Sequence, residues 1–375
     1  MKKKKYLDID VLTAAKQRYI EAFAIDGIKF TLAFSGGKDS IVLSDILFKL
    51  CESGKVDKNK IEAVEFVDEE AMFDDVIKIV ELWRRKWMGI GVKFNWYCME
   101  YKHYNCLNSL SEEETFICWD RRKKDVWVRQ MPKFAIKSDP YFIPMKDNYQ
   151  SWQARRRTAL KLYSIQGLRC SESLQRYQAV ASRKSDFEKN AFYPIYDFTD
   201  ADIWLYIRKY NCEYPKTYEQ MYRTGTSLNR MRISQFFSVD TAKCLVSMNE
   251  YCPDLMERVT KREPNAYLCA MYWDTEMFGK STAKRKKMEQ DDEAEKKDYK
   301  KLLFSLIKNI DSLDNDIQKE TAYRIKKYIL KYPFDWPEKS YRRAYECILI
   351  GDPKARATRA LSTDLRIAMC KENEK

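Results

Sequence analysis

Apolar positions in the first third of the chain switch repeatedly between two periods. From Asp8 to Ile25 they fall at Val11, Leu12, Ala15, Tyr19, Ala22 and Phe23, the spacing of an amphipathic helix. Lys29-Phe-Thr-Leu-Ala-Phe34 is a short buried-strand pattern that runs straight into Ser35-Gly-Gly-Lys-Asp-Ser40. Ile41 to Cys51 then predicts a helix ended by Glu52-Ser-Gly54. A second strand, Ile61-Glu-Ala-Val-Glu-Phe-Val67, stops at Asp68-Glu-Glu70 and gives way to a helical stretch from Ala71 to Met88. Gly91-Val-Lys-Phe-Asn-Trp-Tyr97 predicts a third strand. Strands and helices that alternate with short links predict an α/β fold: a doubly wound, mostly parallel sheet.

The middle of the chain is less regular. Residues 98 to 150 are rich in aromatics and charges and contain Pro132, Pro140 and Pro144, a pattern read as a helical insertion with loops. Trp152 to Ser164 predicts a basic helix, with a return to the sheet at Ile165-Gln-Gly-Leu-Arg169. Asp200 to Tyr210 and Tyr218 to Thr224 predict short helices. From Ser281 to Lys301 the composition shifts to Lys, Arg, Asp and Glu without apolar periodicity, which marks a solvated helix or linker. The expected organisation is therefore residues 1–280 as one domain, 281–301 as a charged connection, and 302–375 as a helical C-terminal extension.

Composition narrows the class. With 45% hydrophobic and 33% charged residues the chain is that of a globular protein. It contains no run of 18 apolar residues, and its Met1-Lys-Lys-Lys-Lys-Tyr6 start is not followed by the apolar core of a signal peptide; a membrane span and export are not expected. Eleven cysteines without a CxxC pair predict reduced thiols in a cytoplasmic protein. His103 is the only histidine, which excludes histidine-rich metal sites. Lysines and arginines exceed acids by 69 − 56 = 13, a surplus that favours an anionic partner. Lys2 to Lys5, Arg155 to Arg157, Lys284 to Lys287 and the segment with Arg342 and Arg343 are basic clusters. Together with 25 Tyr and 9 Trp they make nucleic acid one candidate partner.

The chemistry concentrates at Ser35-Gly36-Gly37-Lys38-Asp39-Ser40, where a predicted strand meets a predicted helix. Glycines let the backbone turn and approach a ligand, while the freed amides and the positive end of the helix favour an anion. Ser35 and Ser40 add hydroxyls, and Lys38 adds a point charge for phosphate or sulfate. Asp39 would orient a metal or cap the helix. The plain alternative is a Gly-Gly connection. A Walker loop is excluded, because GxxxxGK[ST] is absent. Downstream, Gly167 and Arg169 follow a strand, with Glu172 and Arg176 at helical spacing. Two guanidinium forks near one loop suit a bidentate grip on phosphate or sulfate, with Glu172 placed to hold either arginine. A purely structural Arg-Glu network is the alternative. Asp68 and Glu69 close the second strand, on the edge where doubly wound sheets bind ligands, or serve as its polar cap.

These motifs carry a resemblance. Ser35-Gly-Gly-Lys-Asp-Ser40 resembles the PP-loop of the ATP pyrophosphatase and adenine-nucleotide α-hydrolase superfamily. Gly167-Leu-Arg-Cys-Ser-Glu-Ser173 with Arg176 is similar to the corresponding stretch of phosphoadenosine phosphosulfate (PAPS) reductases. Trp127-Val-Arg-Gln-Met-Pro132, Tyr193-Pro-Ile-Tyr-Asp-Phe198 with Asp202-Ile-Trp204, Tyr218 to Arg232, and Ser340-Tyr-Arg-Arg to Asp352 resemble the immunoglobulin-binding-regulator A branch of that family. The resemblance implies an adenine nucleotide ligand, ATP (with Mg²⁺) or PAPS. It implies phosphate contacts from the PP-loop and from Gly167, Arg169, Glu172 and Ser173, and backbone contacts to the base near Phe66 and Val67. Lys38, Asp39, Arg169 and Arg176 become the candidate catalytic residues. Proteins of that branch are often paired with a ParB-like partner, so a two-protein complex is a further implication, as is a regulatory role for a nucleotide-binding module.

The chain departs from the assimilatory reductases in lacking their Glu-Cys-Gly-His tail. Cys370 stands near the C-terminus without glycine or histidine neighbours. The Cys-Cys and CxxC ligands of the iron–sulfur branch are missing too, so no iron–sulfur cluster is expected. Cys98, Cys106 and Cys118 with His103 fit no common zinc spacing and are read as thiols. Cys170, inside the Gly167 motif, is the cysteine best placed for chemistry.

Overall fold

The computed structural model describes residues 9–104, 115–183, 185–226, 250–267 and 298–372, together with 231, 233, 236 and 248. Lys2 to Lys5, Cys106, Lys284 to Lys287 and most of the charged 281–301 stretch lie outside the described residues. Two compact units divide the chain, Met1–Trp273 and Asp274–Lys375.

The first unit is built on a five-stranded sheet of order β3-β2-β1-β6-β7. Its strands are β1 (Lys29–Ala33), β2 (Ile61–Val67), β3 (Phe94–Tyr97), β6 (Leu162–Ile165) and β7 (Ala191–Phe192). Every pairing in it is parallel. β1 is central and buried along its middle, with Phe30, Thr31 and Leu32 at 0% exposure, as expected where both faces of a parallel sheet carry helices. The flanking helices are α1 (Val11–Ala24), α2 (Lys38–Glu52), α3 (Asp74–Gly89), α4 (Tyr149–Leu160), α5 (Leu174–Ala181), α6 (Asp200–Lys209), α7 (Thr217–Arg223) and α8 (Pro253–Arg262). Asp10 caps α1 by accepting from the Leu12 and Thr13 amides at 3.0 Å, and Thr199 with Asp202 forms a capping box on α6.

Two expectations change. In the described part of residues 98–150 the insertion is not helical. It holds an antiparallel pair, β4 (Lys102–Tyr104) with β5 (Thr115–Ile117), and a 3₁₀ turn at Arg121–Val126. Its order comes from polar anchors rather than helical periodicity: Glu70 accepts from the Trp119 amide at 2.6 Å and the Val128 amide at 3.2 Å. The basic helix read to Ser164 also ends early. Lys161 adopts a left-handed conformation (φ 52°) and breaks α4, freeing Leu162 to start β6.

The second unit is helical where described: α9 (Tyr299–Lys308), α10 (Asp316–Lys331), α11 (Glu338–Ile350) and α12 (Arg356–Glu372). Leu303, Ile325, Trp336, Ile348, Leu361 and Leu365 belong to its own buried core. None of the helices among the described residues is long and apolar enough to cross a membrane.

Candidate functional site

Parallel pairing sends the carboxyl ends of β1, β2 and β6 to one edge. The chain leaves β1 toward β2 and β3 on one side and returns to β6 on the other, so the crevice beside β1 is a topological switch point. The Ser35–Ser40 loop emerges there. Phe34 extends the strand by donating its amide to Glu65 O at 2.9 Å. Gly36 then takes φ +75°, and a Cβ on it would lie 2.8 Å from Val76 Cγ1 and 2.9 Å from Val80 Cγ2 on α3. Only glycine meets both demands. Gly37 caps α2 with an ordinary φ of −80°. Ser40 Oγ accepts from the Ser35 amide at 3.2 Å and donates to Gly37 O at 2.9 Å, which braces the loop from within.

A cavity of about 560 Å³ opens at this edge, a size suited to a small-molecule ligand. Ser35, Gly37, Lys38, Asp39 and Ser40 line it from the loop; Gly167, Arg169, Glu172 and Arg176 line it from the segment after β6. Glu69 and Val67 contribute from β2 and its end. Two basic motifs more than a hundred residues apart in sequence thus face one space.

The charges in it form a linked group. Arg169 is 1% exposed; its Nη2 donates to Asp200 Oδ1 at 2.9 Å, and its Nε lies 2.7 Å from Asp39 Oδ1 and 3.4 Å from Glu172 Oε1. The Nε–Oδ1 contact is a close ion contact without hydrogen-bond alignment: both atoms are buried and neither makes an aligned bond among the described residues. Among the described residues Lys38 Nζ has only long contacts, at 3.4 Å to Met231 O and 3.5 Å to each of Asp39 Oδ2 and Asp200 Oδ1. Arg176 pairs with Glu172. Orphaned buried polar atoms next to a cavity are what a site for a polar, anionic ligand would present.

The Asp68-Glu69-Glu70 run divides by direction. Glu69 faces the cavity, with His103 Nε2 3.4 Å from its Oε1. Asp68 is fully buried and committed elsewhere: it accepts from Trp96 Nε1 at 2.7 Å and the Glu70 amide at 3.0 Å, and pairs with Arg129. Asp68 is thus off the cavity wall and anchors the insertion. Phe66 is also buried, its ring edge-on to Trp96 with centroids 4.7 Å apart, while its neighbours Glu65 and Val67 reach the wall. Ser173 caps α5 by accepting from the Arg176 amide at 3.2 Å, and Gly36 supports the loop from behind.

Several wall residues were not read from the sequence as site residues. Glu65 sits inside β2, where a carboxylate breaks the apolar run; it pairs with Arg156 and accepts from Gln153 Nε2 at 3.3 Å. Burial pushes the Glu65 carboxyl up, against the pull of Arg156. Tyr149, Gln166, Tyr218, Met231 and Ile233 also line the wall, with Asp200 behind Arg169. The buried carboxylate in a strand was the readable signal for Glu65; nothing local marks Gln166 or Tyr149.

The candidate basic patch Arg155–Arg157 is corrected. Arg156 and Arg157 are buried on the inward face of α4, and Arg155, though exposed, pairs with Asp147 and donates to Tyr141 O at 2.9 Å. Arg342 donates to Glu346 at 2.8 Å and Arg343 to Asp364 at 2.6 Å. Cys98 and Cys118 are buried, and burial pushes both thiols up.

Residues 29–225 match the phosphoadenosine phosphosulfate reductase domain, from the first residue of β1 to just past α7. The chain belongs to that family. Both motifs that line the cavity lie inside the matched stretch. A curated relative, the uncharacterized protein YbdN of Escherichia coli (strain K12), is 27% identical over 273 residues, 66% of this chain. The match spans 64% of that relative's length. Among solved structures, the U34-tRNA thiolase NcsA from Methanococcus maripaludis with its [4Fe-4S] cluster aligns over 70% of this chain and 80% of its own, at 12% identity and a TM-score of 0.30. That thiolase is described with a cluster, whereas the sequence reading excludes one for this chain; that exclusion is corrected and is dropped. Among the described residues no three His, Cys, Asp or Glu side chains gather as a metal site, so no step is derived through one.

Proposed function

We propose that this PAPS reductase-family chain binds an adenine nucleotide in the cavity at the Ser35–Ser40 loop and transfers its adenylyl group to an acceptor. The observation that supports this best is the convergence of the loop, Lys38, Arg169 and Arg176 on one crevice beside β1. The loop amides and Lys38 would hold the polyphosphate, and Arg169 with Arg176 would stabilise charge on the leaving group. An acceptor oxygen attacks the α-phosphorus and forms the new O–P bond. The bond from the α-phosphorus to the α,β-bridging oxygen breaks, pyrophosphate leaves with the electron pair, and the acceptor's proton passes to solvent.

Family membership supports a second reading, in which the ligand is PAPS and an external thiol attacks its sulfur. No cysteine stands among the described wall residues, so that thiol would be supplied by another molecule. Incubation with labelled ATP or labelled PAPS separates the two. AMP or an adenylated acceptor with pyrophosphate supports the first, and sulfite supports the second. Nucleotide binding without either product would favour the regulatory module. The regulator A branch and its ParB-like partner rest on the quoted motifs and belong to the same proposal. Co-purification with a ParB-like protein tests them.

A further inference from the structure

We propose that Tyr218 is a ligand-positioning residue of this cavity: its hydroxyl, held by the Lys38 amide, donates its proton to an oxygen of the anionic group seated on the Ser35–Ser40 loop. The proposal rests on the reading of that loop as the phosphate site.

Tyr218 is 3% exposed yet lines the cavity. Its oxygen accepts from the Lys38 amide at 3.1 Å and lies 3.4 Å from where a Cβ on Gly37 would stand. It therefore sits on the loop, at the first turn of α2. A phenol has one proton and spare acceptor capacity. Accepting from Lys38 leaves the proton unused, and among the described residues no acceptor takes it. Burial pushes the phenol up, so the proton is retained at neutral pH. The Lys38 amide polarises the hydroxyl and makes it a better donor. In effect the hydroxyl carries the amide's donor one group further into the cavity.

The ring is held in place. Thr217 donates from its amide and its hydroxyl to Asp75 Oδ2, both at 2.7 Å, which ties the start of α7 to α3. Trp204 packs edge-on against the Tyr218 ring, with centroids 5.4 Å apart. A side chain fixed this way is part of the wall and is not a plug for an anion to push aside. A residue serving only as core filling would need the ring and not the hydroxyl.

The test is calorimetric titration of wild type and Tyr218→Phe with ATP, PAPS and adenosine. Tyr218→Phe should weaken whichever charged nucleotide binds by about tenfold or more and leave adenosine unchanged. Equal affinities in the two proteins, equal losses for adenosine and nucleotide, or tighter nucleotide binding by the variant would overturn the assignment. Wild type that binds neither ATP nor PAPS would remove the nucleotide reading and this proposal together; binding that ignores the hydroxyl would remove only the role of Tyr218. Should Tyr218→Phe fail to fold, 3-fluorotyrosine at position 218 keeps the hydroxyl. Its ¹⁹F resonance should move with the charged nucleotide and stay in place with adenosine. A resonance that both move alike, or that neither moves, would overturn the proposal.

Discussion

Two groups of buried charge follow β1 and β2, and they are finished in different ways. At Glu70, just after β2, Arg262 Nε donates at 2.8 Å, and the Trp119 and Val128 amides fill the remaining acceptor positions. Arg262 spends a further donor on Ile117 O at 2.8 Å. Both side chains are sealed, at 1% and 0% exposure. Around Arg169 the same residue types are left incomplete. Asp39 and Asp200 remain about a quarter exposed, and among the described residues Lys38 has only long contacts and Arg169 Nε lacks an aligned bond. The first arrangement fastens α8 to the insertion; the second keeps donors available at a cavity. Saturation of the hydrogen-bonding capacity, rather than burial or charge, separates the structural cluster from the candidate site.

Cutting each cluster at its cation should break that comparison most plainly. Arg262→Met leaves Glu70 buried without its counter-ion, and the first unit should lose about 3–5 kcal/mol, measured by urea unfolding. Lys38→Met removes a cation whose contacts among the described residues are all 3.4 Å or longer and whose partners Asp39 and Asp200 keep solvent access, so the loss should be well below that of Arg262→Met. Equal losses would show that the two clusters serve the same structural purpose.

A smaller contrast lies within the loop. Gly36→Val forces a left-handed backbone onto a branched residue and drives its side chain into Val76 and Val80. It should cost on the order of 2 kcal/mol or more. Gly37→Val keeps an ordinary φ, and its Cβ meets Ser35 Oγ and Tyr218 Oη at 3.4 Å. It should leave the midpoint of unfolding within a few degrees while obstructing the cavity. From sequence both glycines are expected to act through ligand space; Gly36 instead packs against Val76 and Val80, and Gly37 is the one of the two that lines the cavity. Midpoints that fall together in the two variants would undo this division.

Much of this was legible before any coordinates. The apolar runs of β1 and β2 and the glycine loop between β1 and α2 are local signals, and they fall where the pattern puts them. That Arg169, Glu172 and Arg176 meet at one loop is also legible, because an Arg after a strand followed by Glu and Arg at helical spacing brings the three together. The three acids after β2 were not separable in advance: their directions depend on Trp96, Trp119, Arg129 and Arg262, which come from distant segments. The described part of the insertion departs from the helical expectation for a related reason. Its order is imposed by Asp68 and Glu70 from outside, and long-range anchoring leaves no period in the sequence. Tyr218 and Asp200 entered only through the fold, since α6 and α7 bring them back to a loop over 160 residues earlier.

The most direct test of the account is equilibrium titration of ATP and PAPS into wild type and into Lys38→Met, with unfolding midpoints recorded on the same samples. Wild type should bind one of them, and Lys38→Met should lose about tenfold or more in affinity while its midpoint stays near that of wild type. A wild-type protein that binds neither nucleotide, or a Lys38→Met variant that binds as well as wild type, would contradict it.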